Sequence, residues 1–212
     1  MNPDKNLAEI AGIAHRPDGD PAGVVVLTHG AGGSRESPLL KRTCDEWAAR
    51  GWLAVRYNLP YRRRRPKGPP SGSAAADSRG ILEAVAVARE LAGGPLIAGG
   101  HSYGGRLTSM AVADKFPDGL TLDALTLFSY PLHPPGRPER PRTEHLPRIR
   151  VPTVFTHGTS DPFGTIEQLR TAAALIPAPV EIVEITGARH DLTGKGVDVA
   201  SLAVAAALRL LA

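Results

Sequence analysis

Cysteine is almost absent from this sequence, since Cys44 is the only one among 212 residues. An internal disulfide is therefore impossible, and we expect a reducing, cytoplasmic location. Long apolar runs are missing as well: the longest one near the C-terminus, residues 199–208, is far short of the roughly 18 residues that span a bilayer. The N-terminus has no apolar segment of the kind found in signal peptides. We therefore expect no contact with a membrane.

What is present is the composition of a folded protein, with 42% hydrophobic and 22% charged residues. The length suits a single domain over residues 1–212. The net charge of +4 comes largely from the Arg-rich stretch 62–67. A nucleic-acid-binding surface usually spreads its charge along a face and interleaves aromatic residues. We therefore expect no nucleic-acid partner and interpret the stretch as a solvated loop or the rim of an active site.

Short apolar runs alternate along the chain with longer segments of helical periodicity. The predicted strands are residues 24–28, 53–57, 96–98, 124–128, 153–156 and 180–185. The predicted helices are residues 38–51, 81–92, 102–116 (with Pro117 as the stop signal), 165–176 and 199–210. Most strands are continuously apolar, as in parallel sheets covered on both faces. The alternation predicts an α/β fold with a doubly wound, mostly parallel sheet flanked by helices.

Two stretches dense in proline and arginine, residues 61–73 and 133–150, have neither helical nor strand periodicity. Each follows a predicted strand. Both should therefore lie at the carboxyl edge of the sheet, where open α/β sheets bind their ligands.

The motif G-x-S-x-G occurs once, as Gly100, Ser102 and Gly104, between a predicted strand and a predicted helix. A serine at such a tight turn projects its hydroxyl above the sheet edge, close to the free N–H groups of the helix N-terminus. The alternative is a glycine-rich turn with Ser102 as a helix cap. The strand and helix on either side favour a nucleophile.

A serine nucleophile needs a histidine base and an acid that orients it. Hydrolases with this turn place the acid and then the histidine further along the chain. Asp161 follows the predicted strand 153–156, and His190 follows the strand 180–185. Taken alone, Asp161 could be a turn residue before Pro162, and His190 could be a surface histidine. Their shared sheet edge with Ser102 favours a triad, with Asp161 rather than Asp191 as the acid.

The glycine-rich loop 29–34 supplies the remaining catalytic component, an oxyanion hole. We expect the backbone N–H of Tyr103 as one donor and that of Ala31 as the other, with Gly32 as the alternative to Ala31. His29 is more typical of a residue that orders its loop, and His157 has the same Thr-His-Gly context. The candidates for a substrate pocket are Gly32, His29, His133 and Arg142. The histidines show no metal-ligand spacing, so we expect no metal and no cofactor.

These motifs together resemble the α/β-hydrolase superfamily over nearly the whole chain. The stretches 56–61, 129–136 and 142–146 are similar to motifs of a small capless branch related to dienelactone hydrolases. That branch also includes the hydrolase-like domain of a subunit of the nonspecific-lethal histone acetyltransferase complex. Dienelactone hydrolases use cysteine as the nucleophile, whereas this chain has Ser102. The resemblance therefore implies a carboxylesterase-like activity without a helical lid domain.

The sequence as a whole predicts a serine hydrolase that cleaves small ester or thioester substrates through an acyl-enzyme intermediate. One alternative is a hydrolase-fold binding or scaffold protein without turnover, as the acetyltransferase-complex resemblance allows. Another is a small peptidase. Degenerate members commonly lose a triad residue, and this chain keeps all three. The sequence leaves open the acyl and alcohol groups, the oligomeric state and the role of the two Arg-rich stretches.

Overall fold

Seven strands form one sheet in the computed structural model, which describes residues 3–70, 74–114, 120–193 and 196–212. The strands are β1 (Gly12–His15), β2 (Val24–Thr28), β3 (Leu53–Tyr57), β4 (Leu96–His101), β5 (Ala124–Phe128), β6 (Thr153–Gly158) and β7 (Val180–Ile185). The helices are α1 (Pro3–Glu9), α2 (Pro38–Ala49), α3 (Pro60–Arg64), α4 (Ala74–Leu91), α5 (Tyr103–Ala113), α6 (Ile166–Ala173) and α7 (Val199–Leu211), with one 3₁₀ turn at Leu146–Arg148.

The strand order is β1-β3-β2-β4-β5-β6-β7, and only β1 runs antiparallel to its neighbour. After β2 the chain adds β3 on one side and then returns to place β4 on the other. The order in which strands are added thus reverses between β2 and β4. The loops that follow these two strands diverge and leave a crevice at the carboxyl ends of the strands. Thr28 pairs with Gly100 in this register. The loops that begin at His29 and Ser102 therefore start level with each other.

Helices cover both faces of the sheet. Helices α2 and α7 pack on one face through side chains such as Trp47 and Val204. Helices α1, α4, α5 and α6 cover the other face, where Ile81, Leu107 and Leu169 are buried. Among the residues that the structure describes, none of the helices is long and apolar enough to cross a membrane.

All six predicted strands are present, and two of them are longer than predicted. β4 continues through Gly99 and Gly100 to His101, and β6 continues to Gly158. The glycine residues extend the strands because their backbones still pair with the neighbouring strands β5 and β7. The strand β1 was not predicted. The last strand, β7, is only partly buried, since it lies at the edge of the sheet. Its charged side chains form ion pairs with the flanking helices, Glu181 with Arg209 and Glu184 with Arg170.

The five predicted helices are also present, with shifted ends. Helix α4 begins at Ala74 rather than Ile81, and α6 ends at Ala173, three residues before Ile176. The predicted capping box at Thr165 is confirmed. The predicted stop of α5 at Phe116 and Pro117 lies outside the described residues.

The two Arg-rich stretches contain short regular elements, although their sequences have no helical or strand periodicity. The short helix α3 lies at the start of the first stretch, and a 3₁₀ turn lies within the second. Each is too short to produce a periodic apolar pattern. Residues 71–73 lie outside the described part of the chain.

Candidate active site

Ser102 lies at the sharp turn between β4 and α5. Its backbone has φ 51° and ψ −116°, a conformation that non-glycine residues seldom adopt and that is concentrated at functional sites. The Ser102 N–H donates to the carbonyl of Phe128 at 2.8 Å, which fixes the turn against β5. The motif glycines are required by close packing, since a Cβ on Gly104 would lie 2.5 Å from the carbonyl oxygen of His29.

Three predicted residues from three separate loops form a continuous hydrogen-bonded chain. Ser102 Oγ lies 2.8 Å from His190 Nε2, and His190 Nδ1 lies 2.8 Å from Asp161 Oδ2. A carboxylate only accepts hydrogen bonds, so Nδ1 carries the proton and Nε2 is free to accept from the serine hydroxyl. This tautomer is the one in which the ring can take a proton from Ser102.

Asp161 is held in place by backbone as well as by His190. Its Oδ1 accepts a hydrogen bond from the Phe163 N–H at 2.8 Å, and its side chain is fully buried. Burial by itself would raise the pKa of this carboxyl. The hydrogen bonds from His190 and Phe163 outweigh burial and hold the pKa of Asp161 below its ordinary value. Asp161 is therefore a carboxylate at neutral pH.

The neighbouring acid Asp191 lies elsewhere. Its exposed side chain accepts from the backbone N–H of Thr193 at 3.1 Å and from the Thr193 hydroxyl at 2.8 Å. These contacts use the Asp191 carboxylate in a local turn after His190, whereas the imidazole Nδ1 contacts Asp161.

Two aromatic side chains restrain His190 itself. The Phe163 ring packs edge-on against the imidazole, with 4.4 Å between ring centres. His101, the last residue of β4, donates from Nε2 to the His190 carbonyl at 2.8 Å. Burial lowers the pKa of His101, so this ring is neutral at pH 7 and adds no charge beside the base. The sequence analysis did not single out His101 or Phe163.

The glycine-rich loop after β2 lies directly against the Ser102 turn. A Cβ on Gly30 would lie 3.3 Å from Ser102 Cβ and 2.9 Å from His101 Nδ1, so only glycine permits this approach. Ala31 follows immediately on the loop. Tyr103 opens α5, and the first N–H groups of a helix have no acceptor within it. The predicted oxyanion donors thus belong to two segments that meet beside Ser102.

Two side chains of α3 form hydrogen bonds with the backbone of the glycine-rich loop. The Tyr61 hydroxyl donates to the Ala31 carbonyl at 2.7 Å. The Arg62 guanidinium donates to the carbonyls of Gly33 at 2.7 Å and Ala31 at 3.2 Å. Arg62 is buried, so the interpretation of the whole 62–67 stretch as solvated loop or rim was wrong at this residue. One indication of this role was present in the sequence: Arg62 follows β3, the strand that pairs with β2, and the glycine-rich loop follows β2.

The buried carboxylate of Asp77 on α4 connects these two segments. It accepts from the Tyr61 N–H at 3.0 Å and from the Tyr103 hydroxyl at 2.9 Å. Burial and the neighbouring Asp77 raise the pKa of Tyr103, so its hydroxyl stays protonated and donates. A single acid in the alanine-rich start of α4 gives no sequence signal, and Asp77 was missed.

The predicted pocket residues do not gather at one place. His29 is fully buried, where Nδ1 donates to the Gly30 carbonyl and Nε2 accepts from the Leu59 N–H. With both nitrogens used, His29 orders its loop, and its prediction as a pocket residue was wrong. His157 likewise donates to a loop carbonyl, that of Gly164. Gly32 is exposed on the loop surface.

The remaining two pocket candidates line separate cavities. His133 borders a mostly apolar cavity of about 290 Å³ between the 132–143 segment and α6. Arg142 borders a larger polar cavity of about 610 Å³ beside α5.

Solved structures with this architecture include several esterases and a dienelactone hydrolase. Est1E from Butyrivibrio proteoclasticus matches with a TM-score of 0.75 and 15% identity, over 94% of this chain and 93% of that one. A dienelactone hydrolase from Anabaena variabilis matches with a TM-score of 0.67 and 20% identity, over 94% and 88%. The thermophilic esterase Est2 from Thermogutta terrifontis, bound to propionate, matches with a TM-score of 0.69 and 21% identity, over 93% and 87%.

At these identities the matches establish the fold. A family model described as alpha/beta hydrolase domain matches residues 21–205, which span every strand except β1 and end within α7. The chain therefore belongs to the alpha/beta hydrolase family.

Proposed function

We propose that the protein is a serine hydrolase that cleaves small carboxylic esters or thioesters through an acyl-enzyme intermediate. The observation that carries the proposal is the continuous contact from Ser102 Oγ to His190 and on to Asp161, at 2.8 Å for each link. This contact supports the proposal, because it places a serine hydroxyl beside a histidine nitrogen that can accept its proton.

In the proposed reaction, Ser102 Oγ attacks the substrate carbonyl carbon while its proton passes to His190 Nε2. The carbonyl π electrons move onto oxygen, and the N–H groups of Tyr103 and Ala31 stabilise the resulting oxyanion. Asp161 stabilises the imidazolium. The C–O or C–S bond then breaks, and the leaving alcohol or thiol takes the proton from His190. In the second half-reaction, water gives its proton to His190 and attacks the acyl carbon. The ester bond to Ser102 then breaks, Ser102 Oγ takes the proton back from His190, and the carboxylic acid is released.

The structural neighbours suggest which acyl groups to test first. Est2 is described with propionate and with butyrate bound, and Est1E with ferulic acid bound. These carboxylates are the acid halves of short aliphatic and aromatic esters. We therefore propose esters of both kinds as the first substrates for this chain.

A cytoplasmic location remains part of the proposal. Its support is Cys44, which is free and buried in the α2 packing layer. Burial raises the pKa of its thiol to about 12, so Cys44 is a protonated structural residue. This state gives no support to Cys44 as an alternative nucleophile.

The test is labelling with a fluorophosphonate probe, together with hydrolysis of p-nitrophenyl esters of increasing chain length. We expect Ser102→Ala to remove both labelling and turnover, with Ser201→Ala on α7 as a matched control that retains them. Residual activity above about a hundredth of wild type would identify a different nucleophile, since losses of about 10³-fold or more are expected for this group. A folded protein that neither labels nor hydrolyses any ester would support the scaffold alternative instead.

A further inference from the structure

A polar cavity of about 610 Å³ lies between α5 and the 134–148 segment. Arg106 and Met110 line it from one face of α5, and the Pro- and Arg-rich segment closes the other side. Of the described residues, five arginines and one acid, Glu144, border the cavity. The arginines are Arg106, Arg137, Arg140, Arg142 and Arg148.

Most of this positive charge has no counter-ion among the residues that the structure describes. Arg148 pairs with Asp114 at 2.8 Å. Within residues 3–70, 74–114, 120–193 and 196–212, no acid lies within ion-pair distance of the other four arginines. The contrast with Arg62 is informative, because that buried guanidinium donates to four backbone carbonyls.

Arg106 carries the most specific signal. Its Nε–H is buried and has no hydrogen-bond partner among the described residues. A buried donor without an acceptor costs about 1–3 kcal/mol, and more when it is charged. Such groups are rare in native structures and often mark the place of an absent water or ion.

Glu144 is the one acid among the described lining residues, and it cannot balance five arginines. His145 is neutral at pH 7, because burial and the charges of Arg106 and Arg148 lower its pKa to about 4. Its Nε2 donates to Ser109 Oγ at 2.8 Å. Burial and the charge of Arg106 also lower the pKa of Arg142. The cavity is thus a concave region of unneutralised positive charge.

We propose that this cavity is a binding site for a small organic molecule that carries a phosphate or carboxylate group. Guanidinium groups match such oxyanions because their planar N–H donors form paired, charge-assisted hydrogen bonds. An anion here would offset the repulsion among the arginines, and a shift of the Arg106 side chain toward the anion would supply the acceptor that its Nε–H lacks. A nucleic acid would fit less well, since the arginines line a concave cavity rather than a continuous exposed face.

The size of the cavity constrains the ligand further. Sites for small organic molecules typically enclose about 300–1,000 Å³, and about 610 Å³ falls in that range. An isolated phosphate ion would leave most of the space empty. We therefore expect the anionic group to be attached to an organic part.

The cavity is linked to the proposed catalytic serine through α5. The Arg106 N–H donates to the Ser102 carbonyl at 2.9 Å, so Arg106 lies one helical turn from the nucleophile. The anion could accordingly be part of the substrate or a separate ligand. An anion that is part of the substrate presupposes the proposed function, whereas a separate anionic ligand does not.

The direct test is calorimetric titration of the full chain with pyrophosphate at low ionic strength. We expect binding that weakens with added salt, and a Kd about tenfold or more higher in Arg106→Gln and Arg142→Gln, the loss of one charge-assisted hydrogen bond each. Arg140→Gln, on an exposed turn, is the variant to use if the two half-buried ones fail to fold. Arg42→Gln removes the same charge from an exposed position on α2 and should bind as wild type does. If no binding is detected up to about 10 mM pyrophosphate, the affinity is below that of weak specific sites. That result would overturn the proposal. So would equal losses in Arg42→Gln and Arg106→Gln.

A second measurement distinguishes the two sources of the anion. The monoester of adipic acid with p-nitrophenol differs from p-nitrophenyl hexanoate only by a terminal carboxylate. If the anion belongs to the substrate, kcat/KM favours the adipate ester, and Arg106→Gln loses that preference while Arg42→Gln keeps it. If the ligand is separate, pyrophosphate binds and the preference is absent. A protein that binds pyrophosphate but hydrolyses neither ester contradicts only the proposed function, whereas one that hydrolyses both without binding pyrophosphate contradicts only the cavity site.

Discussion

Asp161→Asn is the substitution whose effect the structure determines most closely. The Phe163 N–H points at Oδ1 from 2.8 Å, so the asparagine side chain must place its oxygen there to keep that hydrogen bond. Its NH₂ group then faces His190 Nδ1, which lies 2.8 Å from the other carboxylate oxygen. Two N–H donors cannot share this contact, and His190 must move its proton to Nε2. That proton would point at Ser102 Oγ, and the ring could no longer act as a base.

The expected loss in kcat is about 10²- to 10⁴-fold, as for the wrong tautomer in serine-protease triads. This corresponds to about 3–5 kcal/mol of transition-state stabilisation. Asp191→Asn is the matched control, because it removes the same charge next to His190 in sequence. The Asp191 carboxylate accepts hydrogen bonds from Thr193 and none from His190, whose Nδ1 contacts Asp161. We therefore expect less than about a tenfold loss, the effect of a nearby charge.

The assay is steady-state hydrolysis of a p-nitrophenyl ester, with thermal unfolding of each variant as a check that the fold is retained. An Asp161→Asn protein that is folded and keeps more than a tenth of wild-type kcat would refute the reasoning. The opposite ranking of the two variants would show that Asp161 is only a turn residue before Pro162.

Three further predictions follow from other contacts. Asp77→Asn removes the acceptor from the Tyr61 N–H or the Tyr103 hydroxyl, and we expect kcat to fall about tenfold or more with little change in KM, which steady-state kinetics would show. Gly104→Ala places a Cβ 2.5 Å from the His29 carbonyl oxygen and should cost about 1–3 kcal/mol in urea unfolding, whereas Gly93→Ala, with open space around it, should not. Burial, supported by the charge of Arg62, lowers the pKa of His29 from 6.5 to about 4, so the unfolded chain binds a proton at a pH where the folded chain does not. The free energy of unfolding should fall by up to about 3 kcal/mol as the pH drops from 6.5 to 4; an unfolding series in which His29→Asn has the same pH slope as wild type would contradict this.

The sequence predicts those parts of the fold whose stability is local in origin. The buried strands are continuous apolar runs, and Pro38 and Thr165 mark helix starts by their own chemistry. The same holds for the Ser102 turn, because the strand, the glycines and the helix that it needs are adjacent along the chain. Asp161 and His190 could be predicted because parallel strands bring their carboxyl ends to one edge.

Contacts made between distant segments could not be predicted in this way. Asp77 on α4 accepts a hydrogen bond from Tyr103 on α5, and the residues around Asp77 in the sequence give no indication of this contact. Arg62 and Arg142 belong to similar Arg-rich stretches, yet one guanidinium is satisfied by backbone carbonyls and the other borders an open cavity. Charge and composition are alike in the two stretches, and only the packing around them separates their roles.

The charged edge strand β7 affects how copies of this chain meet one another. Its outer side has no neighbouring strand in the described sheet, and an unpaired edge of this kind is where two sheets can join into one. Glu181 and Glu184 project from opposite faces of β7 and are engaged by helices on both sides. In an antiparallel pair of β7 strands centred on Glu181 or on Glu184, that glutamate would lie opposite the same residue of the other copy, and like charges in this position oppose pairing. Self-association through a continuous intermolecular sheet is therefore disfavoured at this edge, and so is the aggregation that such pairing initiates.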